Sequence, residues 1–372
     1  EGYRTILFEQ NGLGCGQTLA SQGIIHGGLK YALSGALNSA SNIIATMPNR
    51  WRECLAGNDS VDLRGCRLLS DEYYMWSQSS VRSKLKTFLG SKSLRGRVER
   101  VAKESYPDFF GQATISGALY KLPDFVIETE SLIRTLSQGQ EQNIYKLSSA
   151  GASFQRDQNG NINAVIVEAD KGQLTIDCQR IVFAAGKGNK ELIEEANLKT
   201  VKTQLRPLNM IFVKGLKLPS IYVHCISDSF SLTPKLTVTS HRDATGQTVW
   251  YLGGEIAESG VGRSREEQLL AARQLISNLF PWLDLSETKW ECFAIDRAEP
   301  AVNSRYRPDD AFLIEEDGVI VAWPTKLTLA PSLGDMALQQ LKDKAIVPSP
   351  ITDNNDLTKI LAHPDFSAAQ WN

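Results

Sequence analysis

Ala20-Ser21-Gln22-Gly23-Ile24-Ile25-His26-Gly27-Gly28-Leu29-Lys30-Tyr31 is the stretch on which the fold of this chain turns. It closes a loop with glycine at positions 12, 14, 16, 23, 27 and 28. That density exceeds what packing needs and suits backbone brought close to a bulky ligand. A flexible surface loop is the alternative, but such loops rarely hold a group like Ile24-Ile25-His26. Upstream, Tyr3-Arg4-Thr5-Ile6-Leu7-Phe8 is a β-prone apolar run that ends in Glu9. A carboxylate ending a parallel strand is placed to accept hydrogen bonds from the ribose hydroxyls of an adenine dinucleotide. Taken alone, Glu9 reads more readily as a solvated strand end. The G-x-G-x-x-G turn that normally precedes such a strand is not among these residues. A strand, glycine turn and helix of about 25–35 residues are therefore expected ahead of Glu1.

Downstream, Leu33, Leu37, Ala40, Ile44, Met47, Trp51 and Leu55 fall at helical spacing, with Pro48 expected to kink or split the helix. An aromatic-rich region from Leu68 follows. Residues 130–138 read as a helix. Residues 152–156, 164–168 and 173–177 form a meander around Asp157-Gln158-Asn159-Gly160 and Asp170-Lys171-Gly172. Arg180-Ile181-Val182-Phe183-Ala184-Ala185-Gly186 reads as a buried strand emptying into a glycine turn. Residues 205–260 alternate as an antiparallel sheet. Ser264-x-x-Glu267 is a capping box opening a helix that stops at Pro281. A strand at 319–323 and a helix at 333–341 come last, and residues 346–372 read as a loosely held tail.

The 372 residues are 42% hydrophobic and 22% charged, with a net charge of -2, which leaves no electrostatic case for nucleic acid or an anionic membrane. No apolar run reaches the roughly 18 residues of a membrane span. Cys15, Cys54, Cys66, Cys178, Cys225 and Cys292 are scattered, without a C-x-x-C or a Cys/His cluster. They read as reduced thiols of a cytoplasmic protein, with no metal site, and leave peripheral contact at an inner membrane open.

The segment 20–31 resembles the flavin-contacting segment of the D-amino-acid oxidase superfamily. Its His-Gly-Gly-Leu-(basic)-Tyr run is most similar to FAD-linked glycerol-3-phosphate dehydrogenase. Leu119-Tyr120-x-x-x-Asp124-x-Val126 resembles the family's strand into the adenine side. Val182-Phe183-Ala184-Ala185-Gly186 resembles its second FAD turn, and Pro324-Thr325-Lys326-Leu327-Thr328 the loop that closes under the flavin ring. The likeness covers residues 1 to 341. Two departures stand out: Lys30 occupies a position usually held by arginine, and Pro324-Thr325 one usually held by Gly-Gly. Lysine is a point charge where arginine clamps a phosphate bidentately, so a phosphorylated substrate is put in doubt more than the flavin.

The resemblance implies an FAD-dependent oxidoreductase with an α/β fold, in two parts. A discontinuous Rossmann-like FAD domain spans 1–67, 119–200 and 300–345. A substrate domain built on an antiparallel sheet spans 68–118 and 201–299. FAD would contact Glu9, Gly14, Gly16, Ser21, Gln22, Gly23, Ala185, Gly186, Leu327 and Thr328, non-covalently. Hydride transfer to flavin N5 needs a proton acceptor and a group stabilising charge at N1/C2=O. His26 and Lys326 fit these roles; a neutral core histidine and a snorkelling surface lysine are the alternatives. Lys30, Tyr31 and Arg297 would bind a small anionic substrate, although an ion pair of Arg297 with Asp296 or Glu299 fits as well. Arg305 and Arg307 follow nearby, and His224 and His241 are candidates for the substrate side. Quinone, oxygen or a protein all suit as electron acceptor. An oxidase of amino acids, amines or 2-hydroxy acids remains open. So does a non-catalytic nucleotide-binding protein that keeps the fold.

Overall fold

The structure, a computed structural model, describes residues 2–28, 39–78, 98–169, 172–226, 233–301, 310–348 and 355–372. Lys30, Tyr31, Leu33, Leu37, Arg305 and Arg307 lie outside them. The fold is mixed α/β, in two compact units. The first comprises Glu1–Leu19, Glu130–Arg206 and Arg297–Ala368. The second comprises Ala20–Thr129, Pro207–Asp296 and Ala369–Asn372.

These bounds differ from those expected of the two domains. Residues 20–67 and 119–129 fall together in the second unit because their backbones pair. Ile24–Ile25 runs antiparallel to Phe125–Ile127, which also pairs with Leu68–Ser70. The Leu119–Val126 stretch, expected on the adenine side, thus belongs to the unit that lacks Glu9.

In the first unit, Leu7–Glu9 lies parallel to Ile144–Lys146 and puts Glu9 opposite Lys146. Ile181–Phe183 lies parallel to Val319–Trp323, which pairs antiparallel with Phe312–Glu316. The run Val-Ile-Val-Ala-Trp is buried along its whole length, as an unbroken apolar strand must be. With Phe183, Ile193 and Leu198 it forms the core there. The meander of Ala152–Arg156, Ile162–Ala169 and Gly172–Asp177 is as the turns indicated.

An eight-stranded sheet holds most of its residues in the second unit. Its order runs Lys289–Pro300, Thr203–Lys214, Thr248–Gly253, Leu236–Arg242, Val223–Ile226, Tyr73–Gln78, Gly117–Leu122, Glu99–Arg100. It is mixed rather than purely antiparallel, since Val223–Ile226 runs parallel to Tyr73–Gln78. Trp76, Phe109, Phe110, Trp250 and Phe280 pack on it with the helix Arg265–Leu279, whose capping box is formed in full. Helix Ser39–Ala56 runs through Pro48 without being split; a proline removes one backbone bond, and the remaining turns hold.

The C-terminal residues are not a loose tail. In the first unit, Leu361 is buried, His363 stacks on Tyr145, and Leu13 exchanges backbone bonds with Asp365 and Ser367. In the second, Trp371 is buried against His241, Tyr251 and Phe212, and its carbonyl accepts from Lys214 Nζ. Apolar burial of Leu361 and Trp371 overrides the polar composition that suggested disorder. Among the described residues no helix is long and apolar enough to cross a membrane, and all six cysteines are free thiols.

Candidate active site

Glu9, both glycine turns and the Lys326 loop belong to the first unit. Glu9 Oε1 accepts from the Asn11 N–H at 2.8 Å, while its second oxygen accepts no hydrogen bond among the described residues. Past Glu9 the loop turns at Gly14 and Gly16, both at positive φ. Gln17 Oε1 then accepts the Ala298 N–H at 2.9 Å, which ties this loop to the residue following Arg297. The carboxylate of Glu299 is taken by Arg206 and by Gln204 Nε2.

The turn after Ile181–Phe183 is held by a buried amide. Asn189 is fully buried; its Oδ1 accepts the Ala185 N–H at 2.8 Å, and its Nδ2 donates to the Ala322 carbonyl at 3.3 Å. That leaves Gly186 at φ +58. Neither Gln17 nor Asn189 stood out in the sequence. A polar residue just past a glycine turn was the available signal.

Lys326 caps the short turn Leu327–Leu329, which continues into the helix Ala330–Asp343. Just before it Thr325 sits at φ +59, a left-handed conformation a β-branched residue rarely takes. This is where the resembled family places glycine. The Thr325 hydroxyl offsets part of the strain by donating to the Asp310 carbonyl at 3.0 Å. Thr325→Val, which keeps the strain and loses the bond, should lower stability by about 1 kcal/mol. Thr325→Gly should be neutral to mildly stabilising, because relief of the strain offsets the added backbone freedom. Urea denaturation of both variants checks the order; a Thr325→Val protein as stable as Thr325→Gly would contradict it.

Ser21, Gln22, Gly23 and His26 belong to the second unit. Ser21 Oγ accepts the Gly23 N–H at 3.2 Å. The Gln22 amide is engaged within the sheet, donating to the Tyr251 carbonyl at 2.9 Å, with Thr237 O and Thr239 Oγ1 at 3.4 Å. Tyr251 returns a bond from its hydroxyl to the Ala20 carbonyl at 2.7 Å. His26 is half-buried and follows Ile25 directly. His224 Nδ1 lies 3.0 Å from Thr237 Oγ1 and 3.3 Å from the Tyr73 hydroxyl, and the two rings pack at 4.7 Å. His241 is buried, bonded through Nε2 to Thr239 Oγ1, and burial pushes its pKa down to about 3. A neutral, satisfied His241 is a structural residue.

The first unit's residues fit a dinucleotide. A strand-end carboxylate keeps an oxygen for a ribose, and Gly16 and Gly186 have open space where a side chain would begin. The sequence matches the FAD dependent oxidoreductase family, DAO, across residues 1–340. The chain belongs to that family.

It is 41% identical over 350 residues to the probable FAD-dependent oxidoreductase PA4991 of Pseudomonas aeruginosa, covering 94% of this chain and 87% of the relative. The crystal structure of PA4991 superposes with a TM-score of 0.82 at 36% identity, covering 100% of this chain and 91% of that one. Iminodiacetate oxidase of Chelativorans sp. BNC1 gives 0.63 at 14% identity, covering 99% and 94%. L-alpha-glycerophosphate oxidase of Mycoplasma pneumoniae, solved with FAD bound, gives 0.62 at 12% identity, covering 92% and 89%. The last two share the fold. The protein is thus an enzyme that uses FAD. Of the candidates, Glu9, Gly14, Gly16, Ala185, Gly186, Arg297, Lys326, Leu327 and Thr328 fall in one unit, and Ser21, Gln22, Gly23 and His26 in the other.

Proposed function

We propose that the enzyme oxidises a small anionic alcohol or amine by hydride transfer to flavin N5, in the manner of a glycerol-3-phosphate dehydrogenase. The observation that carries this reading is the placing of Lys326. It caps the turn after a wholly buried strand, in the same compact unit as Glu9 and both glycine turns. Bound FAD supplies the two-electron acceptor for the substrate's C–H hydride. Glu9 binds the adenosine ribose, and Gly14, Gly16, Ala185 and Gly186 admit the cofactor's backbone. Lys326, Leu327 and Thr328 would line the flavin site, where the Lys326 ammonium would offer a positive charge to stabilise the reduced ring. His26 takes the proton from the substrate's O–H or N–H, leaving a carbonyl or an imine. Lys30, Tyr31 and Arg297 hold the anionic group. Quinone, oxygen or a protein then takes the electrons.

Anaerobic mixing of the FAD-loaded enzyme with sn-glycerol 3-phosphate, glycine, L-proline and lactate in turn tests the reading. Bleaching of the flavin by sn-glycerol 3-phosphate is expected. Bleaching only by an amino or hydroxy acid would move the substrate to the oxidase branch, and bleaching by none would overturn hydride transfer from this substrate class. Admitting air to the reduced enzyme then shows whether oxygen serves as acceptor.

A further inference from the structure

Ile24 pairs with Val126 and Ile25 with Phe125, so the antiparallel register would next set His26 against Asp124. The ladder ends there. In its place the Asp124 carboxylate accepts the Gly27 N–H at 3.0 Å. A side chain has taken over the acceptor role of a backbone carbonyl, and His26 is bracketed. The residue before it is in the ladder, and the residue after it is on the carboxylate. Asp124 is only 2% exposed, and Ile25, Phe125 and Val126 beside it are fully buried. Burying a carboxylate among such neighbours opposes its charge. An asparagine would make the same bond without that cost, so stability alone does not account for an aspartate here.

We propose that Asp124 is a positioning residue for the oxidation, fixing the backbone just after His26 through the Gly27 amide while the strand ladder holds the residue before it. This rests on the reading of His26 as the proton acceptor. Burial pushes the Asp124 carboxyl up to about 7, against the pull of the Gly27 N–H. Among the described residues, the titratable groups on the elements packed around it include His26 on its own pairing partner, Tyr73 and Cys225 on neighbouring strands, and Arg52. Burial raises Tyr73 and Cys225 above their ordinary values, so both stay neutral near pH 7. Arg52 lies over the Phe125 ring at 4.4 Å and pairs with Asp71. A folded pKa above the unfolded one means the folded chain holds a proton the unfolded chain has released. The stability from this residue therefore falls as pH rises from the ordinary carboxylate range to about 7.

The test uses the FAD-loaded enzyme. The Gly27 amide proton, followed by NMR, should titrate with a midpoint near 7 in the wild type and lose that titration in Asp124→Asn. A Gly27 amide that shows neither titration nor slowed solvent exchange in the wild type overturns the hydrogen bond itself, whatever the role of His26. Flavin reduction by whichever of sn-glycerol 3-phosphate, glycine, L-proline or lactate bleaches the wild type gives the second readout. Asp124→Ala should slow it by about 10- to 100-fold, and Asp124→Asn should recover most of that loss. In a His26→Ala background Asp124→Ala should have little further effect. A full Asp124→Ala effect in that background refutes positioning through His26. A His26→Ala enzyme with normal reduction would sink the role of His26 instead, and the amide titration separates the two failures. If Asp124→Ala does not fold, the Asn variant carries the test: because asparagine keeps the Gly27 bond, a reduction rate as slow as that of His26→Ala counts against the proposal.

Discussion

If Lys326 has the proposed role, replacing it with methionine should slow flavin reduction by roughly 10²–10³-fold, the scale of loss when one donor that stabilises transition-state charge is removed. Methionine matches the length and apolar stem of lysine and lacks only the ammonium. The turn Leu327–Leu329 and the helix Ala330–Asp343 it heads are held by backbone bonds, so the fold should survive. The positive end of that helix remains in the variant, yet a helix dipole amounts to about half a charge and cannot replace a full one. The loss should therefore appear in the rate constant for reduction at saturating substrate, measured by anaerobic stopped-flow absorbance. Substrate affinity should move less, since the charge arises only as the hydride transfers. A thermal melt of the loaded variant close to that of the parent guards against misfolding. A reduction rate within a few-fold of the parent would remove Lys326 from the chemistry.

Gly23→Ala should carry the largest stability cost. Gly23 sits at φ +71 and accepts, through its carbonyl, the Ile127 N–H at 2.9 Å. A Cβ there would overlap the Ile127 carbonyl oxygen, which is backbone and cannot swing aside. The strands Ile24–Ile25 and Phe125–Ile127 would have to part, with Ile25, Phe125, Val126 and Ile127 fully buried around them. Left-handed strain and overpacking together give roughly 2–5 kcal/mol. Gly16→Ala provides the contrast, because nothing lies where its Cβ would go. It should cost only the conformational strain, about 1–2 kcal/mol, and should weaken FAD uptake if that open space admits the cofactor. Urea unfolding of the apoproteins and fluorescence titration with FAD separate the two effects. Equal unfolding midpoints for Gly23→Ala and the parent would contradict the steric argument.

What the sequence determined by itself was local. Alternation and apolar runs marked the strands at 152–156 and 319–323 and the strand-forming region 205–260, because side-chain period and turn chemistry act within a few residues. Ser264-x-x-Glu267 specified its helix start for the same reason. The glycine turns and Glu9 were legible too, because the backbone geometry they need is written in residue type. Only the tertiary structure decided what lay between distant segments. That Asp124 takes the Gly27 amide 97 residues away, and that the Gln22 amide is engaged by Tyr251 at a separation of 229, depends on strand pairing that no local pattern encodes. Thr325 in a left-handed conformation went against its residue type, since its neighbours and the Asp310 carbonyl hold it there. The C-terminal residues read as polar and loose, yet Leu361 and Trp371 are buried, because the apolar surfaces they cover are assembled from other parts of the chain.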